Sequence, residues 1–189
     1  MQILDHLEQR LALPGDSETR RSQKKSGFIV VFLAATLAAL DGLHLYRAGL
    51  TASGLTFLIF SALLFFLLGV LYVVPRSYLP GAVLILVLTL ITNLTAHLAG
   101  GGYTSGLSIL VWIFLTPVFA VLFAGRREVL LLVAAFALTV LIAGLFEDEA
   151  RANMPQLDPS FTTIESSTNY LLLGLILAGA ALYLFNQIE

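Results

Sequence analysis

The chain has 189 residues, of which 58% are hydrophobic and only 12% are charged. Soluble domains carry about 25% charged residues, so this composition excludes an ordinary water-soluble domain. The net charge of −2 comes without a basic cluster interleaved with aromatics, which indicates no nucleic-acid partner. Cysteine is absent, which excludes disulfides, thiolate metal sites and thiol nucleophiles.

Before the first apolar stretch, residues 1–26 are predicted to form a cytoplasmic segment with a short amphipathic helix. Leu4, Leu7 and Leu11 recur at helical spacing, and Pro14 ends the pattern. This helix would either lie against lipid headgroups or pack on a partner or sister subunit. The basic run that follows it anchors the first membrane span.

Six apolar stretches fill the rest of the chain. Each is long enough to cross a hydrocarbon core of about 30 Å as a helix. Since lipid provides no water to bond an unpaired backbone N–H or C=O group, each stretch must form a helix, in which these groups hydrogen-bond to each other. We therefore predict an all-α, polytopic membrane domain over residues 27–189 with six transmembrane helices. The predicted spans cover residues 28–45, 53–74, 79–99, 107–123, 129–146 and 170–185.

The basic residues predict the orientation of these spans. With a cytoplasmic N-terminus, eight of the ten lysines and arginines fall on the inner side, and only Arg47 and Arg151 fall outside. This positive-inside bias and the even number of spans predict that both termini are cytoplasmic.

Two irregular features interrupt the simple pattern. Residues 147–167 form an acidic connection of about twenty residues, which we expect to be a loop serving as a binding lid or as a solvated tether. Pro117 lies well inside the fourth span and predicts a kink in that helix.

Polar residues near the outer ends of the spans are the candidate ligand-binding residues. Asp41 and His44 are three residues apart, so they share one face of span one. Span three ends on the same side and carries Asn93 and His97, which could meet Tyr103 and the acidic loop in an outer pocket. The acidic candidates are Glu147, Asp148 and Glu149.

The chemistry of this outer pocket has three interpretations. Imidazole with carboxylate suits a divalent metal, held by Asp41, His44 and His97. Alternatively, these side chains are hydrated at the membrane interface, or they bind an organic ligand. No other cofactor is indicated.

Two further features concern helix packing. Trp112 lies too deep in span four for the interfacial aromatic belt, so its indole N–H needs a buried partner or the ring packs between helices. Gly174, Ala178 and Ala181 form a stripe of small residues in span six. Such a stripe packs within the bundle or forms a subunit interface.

Several motifs resemble one known family. They are Gly100-Gly-Gly-Tyr-Thr-Ser-Gly106, Leu110-Val-Trp112, Thr116-Pro117 and Gly125-Arg-Arg127, followed by the acidic loop and by Asn169 at the start of span six. This pattern resembles the six-helix membrane anchor of bacterial class III adenylyl cyclases, with similar anchors in sensor histidine kinases. The resemblance implies a homodimer in the bacterial inner membrane, with a catalytic cytoplasmic domain that would lie beyond Glu189.

These observations predict a membrane anchor and sensor module of a signalling enzyme, which transmits an outer signal through span six. No catalytic motif is present, so we expect no enzymatic activity and no catalytic residue in these 189 residues. A small transporter or channel component for a cation or weak acid is the alternative. An anchor without a ligand is a third.

Overall fold

The computed structural model describes residues 2–105, 107, 109–123, 126–152, 154 and 156–188, and every regular element in these ranges is a helix. This confirms the all-α prediction. The α-helices are α1 (Gln2–Leu11), α2 (Glu18–Arg47), α3 (Thr51–Val73), α4 (Tyr78–Ala99), α5 (Leu115–Phe123), α6 (Arg126–Leu145), α7 (Glu147–Ala152) and α8 (Pro159–Ile188). Short 3₁₀ helices cover Pro75–Ser77, Gly102–Ser105 and Ile109–Phe114.

Five of the described helices are long and apolar enough to cross a membrane. They agree with the first, second, third, fifth and sixth predicted spans. The helix of the first span begins at Glu18, so the boundary expected between residues 26 and 27 falls inside α2. The five candidate spans are Glu18–Arg47, Thr51–Val73, Pro75–Ala99, Arg127–Leu145 and Pro159–Ala181.

The fourth apolar stretch, residues 107–123, is not one kinked helix as the sequence suggested. It consists of the 3₁₀ helix Ile109–Phe114 followed directly by α5. Pro117 is the third residue of α5, in the first turn, where a backbone N–H has no partner within the helix. The missing N–H of proline therefore costs no hydrogen bond there, and the change of helix type precedes the proline.

The predicted acidic loop, residues 147–167, is also mostly helical, which corrects that expectation. It contains α7 and the first turns of α8. Asp158 caps α8, since its Oδ1 atom accepts hydrogen bonds from the backbone N–H (2.7 Å) and hydroxyl (2.6 Å) of Ser160. These hydrogen bonds lower the pKa of Asp158. Pro159 is the first residue of α8, a position that favours proline because its φ angle already suits a helix.

Helices α2 and α3 form a close antiparallel pair. A Cβ atom added to Gly54 would lie 2.7 Å from the carbonyl oxygen of Gly42, so glycine is needed where the two backbones cross. The Ser61 hydroxyl donates to the Ala35 carbonyl of α2 (2.7 Å). On the other side of α3, the Ser53 hydroxyl donates to the Ala96 carbonyl of α4 (2.9 Å). These contacts hold α2, α3 and α4 together.

Helix α1 packs against its own bundle, at the end where α2 begins. Leu11 is buried, and Lys25 forms an ion pair with Glu8. The Lys24 ammonium is also buried and contacts the Asp16 carboxylate at 2.6 Å. The hydrogen bond from Lys24 lowers the pKa of Asp16. Leu11, at the end of the apolar face of α1, is therefore covered within the chain.

Candidate functional site

A cavity of about 850 Å³ lies between α2, α3, α4, α5 and α8. This volume is within the range of about 300–1,000 Å³ that is typical of small-molecule sites. Along α2 the lining extends from Ser26 to His44. Most of the wall is aliphatic or aromatic, and its carboxyl and imidazole groups all lie near the end of the bundle that carries His44.

The first polar group of the cavity joins α2 to α8 and consists of Asp41, His44 and Glu165. We call it the carboxylate cluster. The Asp41 carboxyl group faces that of Glu165, and the His44 Nε2 atom lies 3.4 Å from a Glu165 oxygen. The His44 ring also stacks on Phe161, one helical turn before Glu165, with ring centroids 5.0 Å apart. Asp41 and His44 share one helix face as predicted, and both line the cavity.

Two buried side chains of the cavity wall have unused hydrogen-bonding atoms. Asn93 on α4 is 2% exposed, and its amide nitrogen donates to the Thr89 carbonyl at 2.8 Å. The Asn93 Oδ1 atom and the Thr116 hydroxyl on α5 are buried and have no partner within the described part of the chain. Buried polar atoms are nearly always paired in folded proteins, so these two atoms indicate room for a bound group.

Trp112 has the buried partner that the sequence required. Its Nε1–H group donates to the Asn169 Oδ1 atom of α8 at 3.1 Å. The Asn169 side chain in turn donates to the Leu107 carbonyl at 2.9 Å. These two hydrogen bonds tie α8 to the stretch before α5, next to the polar end of the cavity. Both Trp112 and Asn169 line the cavity.

His97, Tyr103 and Glu147 form a second polar group, which we call the His97 cluster. The rings of His97 and Tyr103 pack edge to face, with centroids 4.6 Å apart. The Tyr103 backbone N–H donates to a Glu147 oxygen at 2.9 Å. Partial burial and the nearby negative charge of Glu147 raise the pKa of the Tyr103 phenol. None of these three residues lines the cavity.

The predicted outer pocket is therefore divided into two places. Asp41, His44 and Asn93 line the cavity, whereas the His97 cluster lies where the turn after α4 meets α7. Asp148 and Glu149 are exposed on α7. Within the described ranges, no three histidine, aspartate or glutamate side chains are grouped in a way that could hold a metal ion. The suggested trio of Asp41, His44 and His97 is split between the two groups.

The small-residue stripe of α8 faces away from the bundle. Gly174, Ala178 and Ala181 are all exposed, and a Cβ atom added to Gly174 would meet nothing within 4 Å. Ala180, on another face of the same helix, is buried and lines the cavity. Of the two interpretations from the sequence, packing within the bundle does not fit this arrangement.

The sequence reasoning missed Glu165 and Asn169 as site residues, because both adjoin or lie within a segment expected to be a loop. Their spacing with Leu172 and Ile176 is i, i+4, i+7 and i+11, which is one face of a helix. That signal was present in the sequence. Thr116 gave no comparable signal, since its burial depends on how α5 packs.

Comparison of the chain with models of known protein families, with curated proteins and with solved structures gives no match.

Proposed function

We propose that this chain is a membrane-embedded sensor module that binds a hydrophobic signal molecule beside α8 and transmits its presence through that helix. The observation that carries this proposal is the cavity of about 850 Å³, of which α8 forms one wall. Glu165, Asn169 and Ala180 of α8 all line it. Occupation of the cavity therefore acts directly on the position of α8.

Six membrane crossings are part of the proposal. The 3₁₀ helix Ile109–Phe114 and α5 together extend about 25 Å at their usual rises per residue, close to the thickness of a hydrocarbon core. With the five long helices this supports an even number of crossings. The distribution of lysine and arginine then favours cytoplasmic termini.

Labelling of single cysteines tests this topology, because the natural chain has none. A membrane-impermeant maleimide should label Ser160→Cys in intact cells. It should label Ser77→Cys, at the turn between α3 and α4, only after the membrane is opened. The same labelling behaviour for both positions would contradict the six crossings.

The exposed stripe of α8 supports transmission through a homodimer. Small residues let two helices approach closely in lipid, and Gly174 and Ala178 face away from their own bundle. A ligand can shift α8 only by as much as it prefers one dimer arrangement over the other. In this proposal the movement reaches a cytoplasmic domain of the class III adenylyl cyclase or histidine kinase type in a bacterial inner membrane. That class is supported only by the resemblance of motifs.

Cross-linking in membranes tests the dimer and the coupling together. Ala178→Cys should form a disulfide-linked dimer, whereas Ala180→Cys, buried on another face of α8, should not. Filling the cavity with Ala38→Phe should then change the cross-linking rate at position 178, because Ala38 lines the cavity. Equal cross-linking at 178 and 180, or a rate unaffected by Ala38→Phe, would contradict the proposed sensing.

Transport is the second candidate, and one observation favours it. The cavity lining runs along α2 from Ser26 to His44, which is about 27 Å of helix and close to the thickness of a membrane. Its carboxyl and imidazole groups nevertheless all lie at one end, whereas proton and ion pathways carry such groups along their length. Uptake of a cation or weak acid into proteoliposomes, abolished by Ala38→Phe, would favour transport over sensing.

A further inference from the structure

The cavity is open to the side of the bundle that lipid would surround. Leu33 and Leu40 of α2 and Ile164 of α8 line it, yet they are 55%, 61% and 64% exposed. Side chains can be both lining and exposed only at an opening. A molecule dissolved in the bilayer can therefore enter between α2 and α8 without passing through water.

The walls of the cavity select an apolar body for such a molecule. Phe57, Phe60, Leu64 and Ile85 are buried residues of α3 and α4 that line its deeper part. An apolar chain placed there contributes about 25 cal/mol for each Å² of surface removed from water. For a molecule that enters from lipid this gain in free energy is small, because its chain is already out of water. Recognition must therefore depend on the polar end of the cavity.

The polar end offers mainly acceptors. The Asn93 Oδ1 atom is buried without a partner among the described residues, and the carboxyl groups of Asp41 and Glu165, which share a hydrogen bond, keep further oxygen lone pairs that can accept. Two of the nearby donors are already used, since the Trp112 N–H donates to Asn169 and the Asn169 amide donates to the Leu107 carbonyl. The Thr116 hydroxyl has no partner in the described residues and can donate or accept.

We propose that the cavity binds a long-chain amphiphile whose head donates hydrogen bonds, an alkyl amine or an alkyl alcohol. This deepens the proposed function, since it names the class of molecule that the sensor would recognise. The head lies between Asn93 and the carboxylate cluster, and the chain extends along the apolar wall. A long-chain carboxylate is rejected because its head would bring a third carboxyl group against Asp41 and Glu165.

Fluorescence of Trp112 tests the proposal, because it is the only tryptophan of the chain and lines the cavity. The full chain in nanodiscs is titrated with cetylamine, cetyl alcohol, palmitate and hexadecane at equal mole fractions in lipid. We expect a saturable change in emission with the amine and the alcohol, and none with palmitate or hexadecane. Binding of either one alone identifies which donor head is preferred, and both outcomes support the proposal.

Variants assign the binding to the polar end. Asn93→Leu removes an acceptor and should weaken binding about three- to tenfold, from the usual net value of one hydrogen bond. Thr95→Ala is the matched control on α4, since its hydroxyl only donates to the Ile91 carbonyl of the same helix and it is exposed. Ala38→Phe should abolish the titration. If Asn93→Leu fails to fold, Asp41→Asn with Glu165→Gln replaces it and should admit palmitate.

Several results would overturn this assignment. They are palmitate or hexadecane binding as tightly as the amine and the alcohol, no saturable change with any probe, or an unchanged affinity in Asn93→Leu. If the affinity for the amine or alcohol falls as the protein concentration in the bilayer rises, a helix of a second copy competes for the cavity and is its occupant. Binding of the amine without any change in cross-linking at Ala178→Cys would support the ligand class and contradict the sensing function, so the two failures are distinguishable.

Discussion

Replacement of Asn169 by leucine should loosen the attachment of α8 to the rest of the bundle. The Asn169 side chain is 3% exposed and makes two hydrogen bonds, one from the Trp112 indole and one to the Leu107 carbonyl. Leucine has a similar volume but makes neither hydrogen bond, so the change removes the polar contacts without creating a cavity. Water has little access to replace them at this burial.

The size of the effect follows from hydrogen bonds measured between helices in membrane proteins. These average about 0.6 kcal/mol and reach about 1.7 kcal/mol. Two such bonds predict a loss of about 1–3 kcal/mol in the free energy of unfolding for Asn169→Leu. Tyr170→Phe is the control, because Tyr170 is the next residue, is 58% exposed and loses only a hydroxyl. It should change the free energy by less than about 0.5 kcal/mol.

The assay is unfolding of the full chain by SDS in mixed micelles, followed by circular dichroism. Trp112→Phe and the double variant with Asn169→Leu complete a double-mutant cycle. We expect a coupling energy of about 0.6–1.7 kcal/mol between positions 112 and 169. Strictly additive effects of the two changes would refute the reasoning, since the indole would then not depend on Asn169.

Two further predictions concern the ends of the bundle. Asp16→Asn should destabilise the docking of α1 by about 1–3 kcal/mol, because it removes the charged partner of the buried Lys24 ammonium, whose other contact is the Leu11 carbonyl at 3.4 Å. The pKa of Asp16 is lowered in the folded chain, so the stability contributed by its carboxylate is present above pH of about 4 and is lost as the pH falls through the folded pKa. Thermal unfolding in detergent at a series of pH values measures this loss. A pH-independent difference in stability between the variant and the natural chain would contradict it. Gly102 has a φ of 70°, and a Cβ there would meet the Glu147 carboxylate. Gly102→Ala should therefore lower the stability by about 1–3 kcal/mol in the same thermal assay. The control is Gly144→Ala, where the added Cβ atom meets nothing within 4 Å, and it should be neutral or stabilising. Equal effects of the two changes would exclude a strained turn at Gly102.

The long helices could be predicted from the sequence because each needs only local information. An apolar stretch of the required length must be helical in lipid, and five of the six predicted stretches are single long helices. The stretch at 107–123 has the same composition but carries Pro117, and hydropathy does not report which hydrogen-bond pattern a helix adopts. The break there comes from backbone bonding, which composition does not encode.

The segment before Tyr170 was misread for a related reason. Its serines, threonines and acidic residues have the composition of a loop, yet Asp158 and Pro159 are a helix cap and a first helical residue. Reading those two residues as a start signal would have extended the last helix back to Pro159. It would also have placed Glu165 on the same helix face as Asn169.

The candidate site could be predicted only in part, because its members come from different helices. The sequence placed Asp41 with His44, and Asn93 with His97, since each pair lies on one helix. The sequence did not indicate that Asn93 lines the cavity while His97, one turn further along α4, packs against Tyr103. Such a division depends on where the turn after α4 folds back, which involves Glu147 from a distant part of the chain.

The position of the polar groups favours sensing over transport. A transported ion or acid must find partners along its whole path, because each unpaired step in lipid costs several kcal/mol. Here the carboxyl groups of Asp41 and Glu165 lie at one end beside Asn93, and the remaining length of the cavity carries hydroxyl groups but no carboxyl, imidazole or basic group. A molecule held by its head at that end stays with its chain against α8. Binding at one end and contact along one helix suit the proposed sensing, and the lining offers no second carboxyl or imidazole group toward which a charged cargo could move.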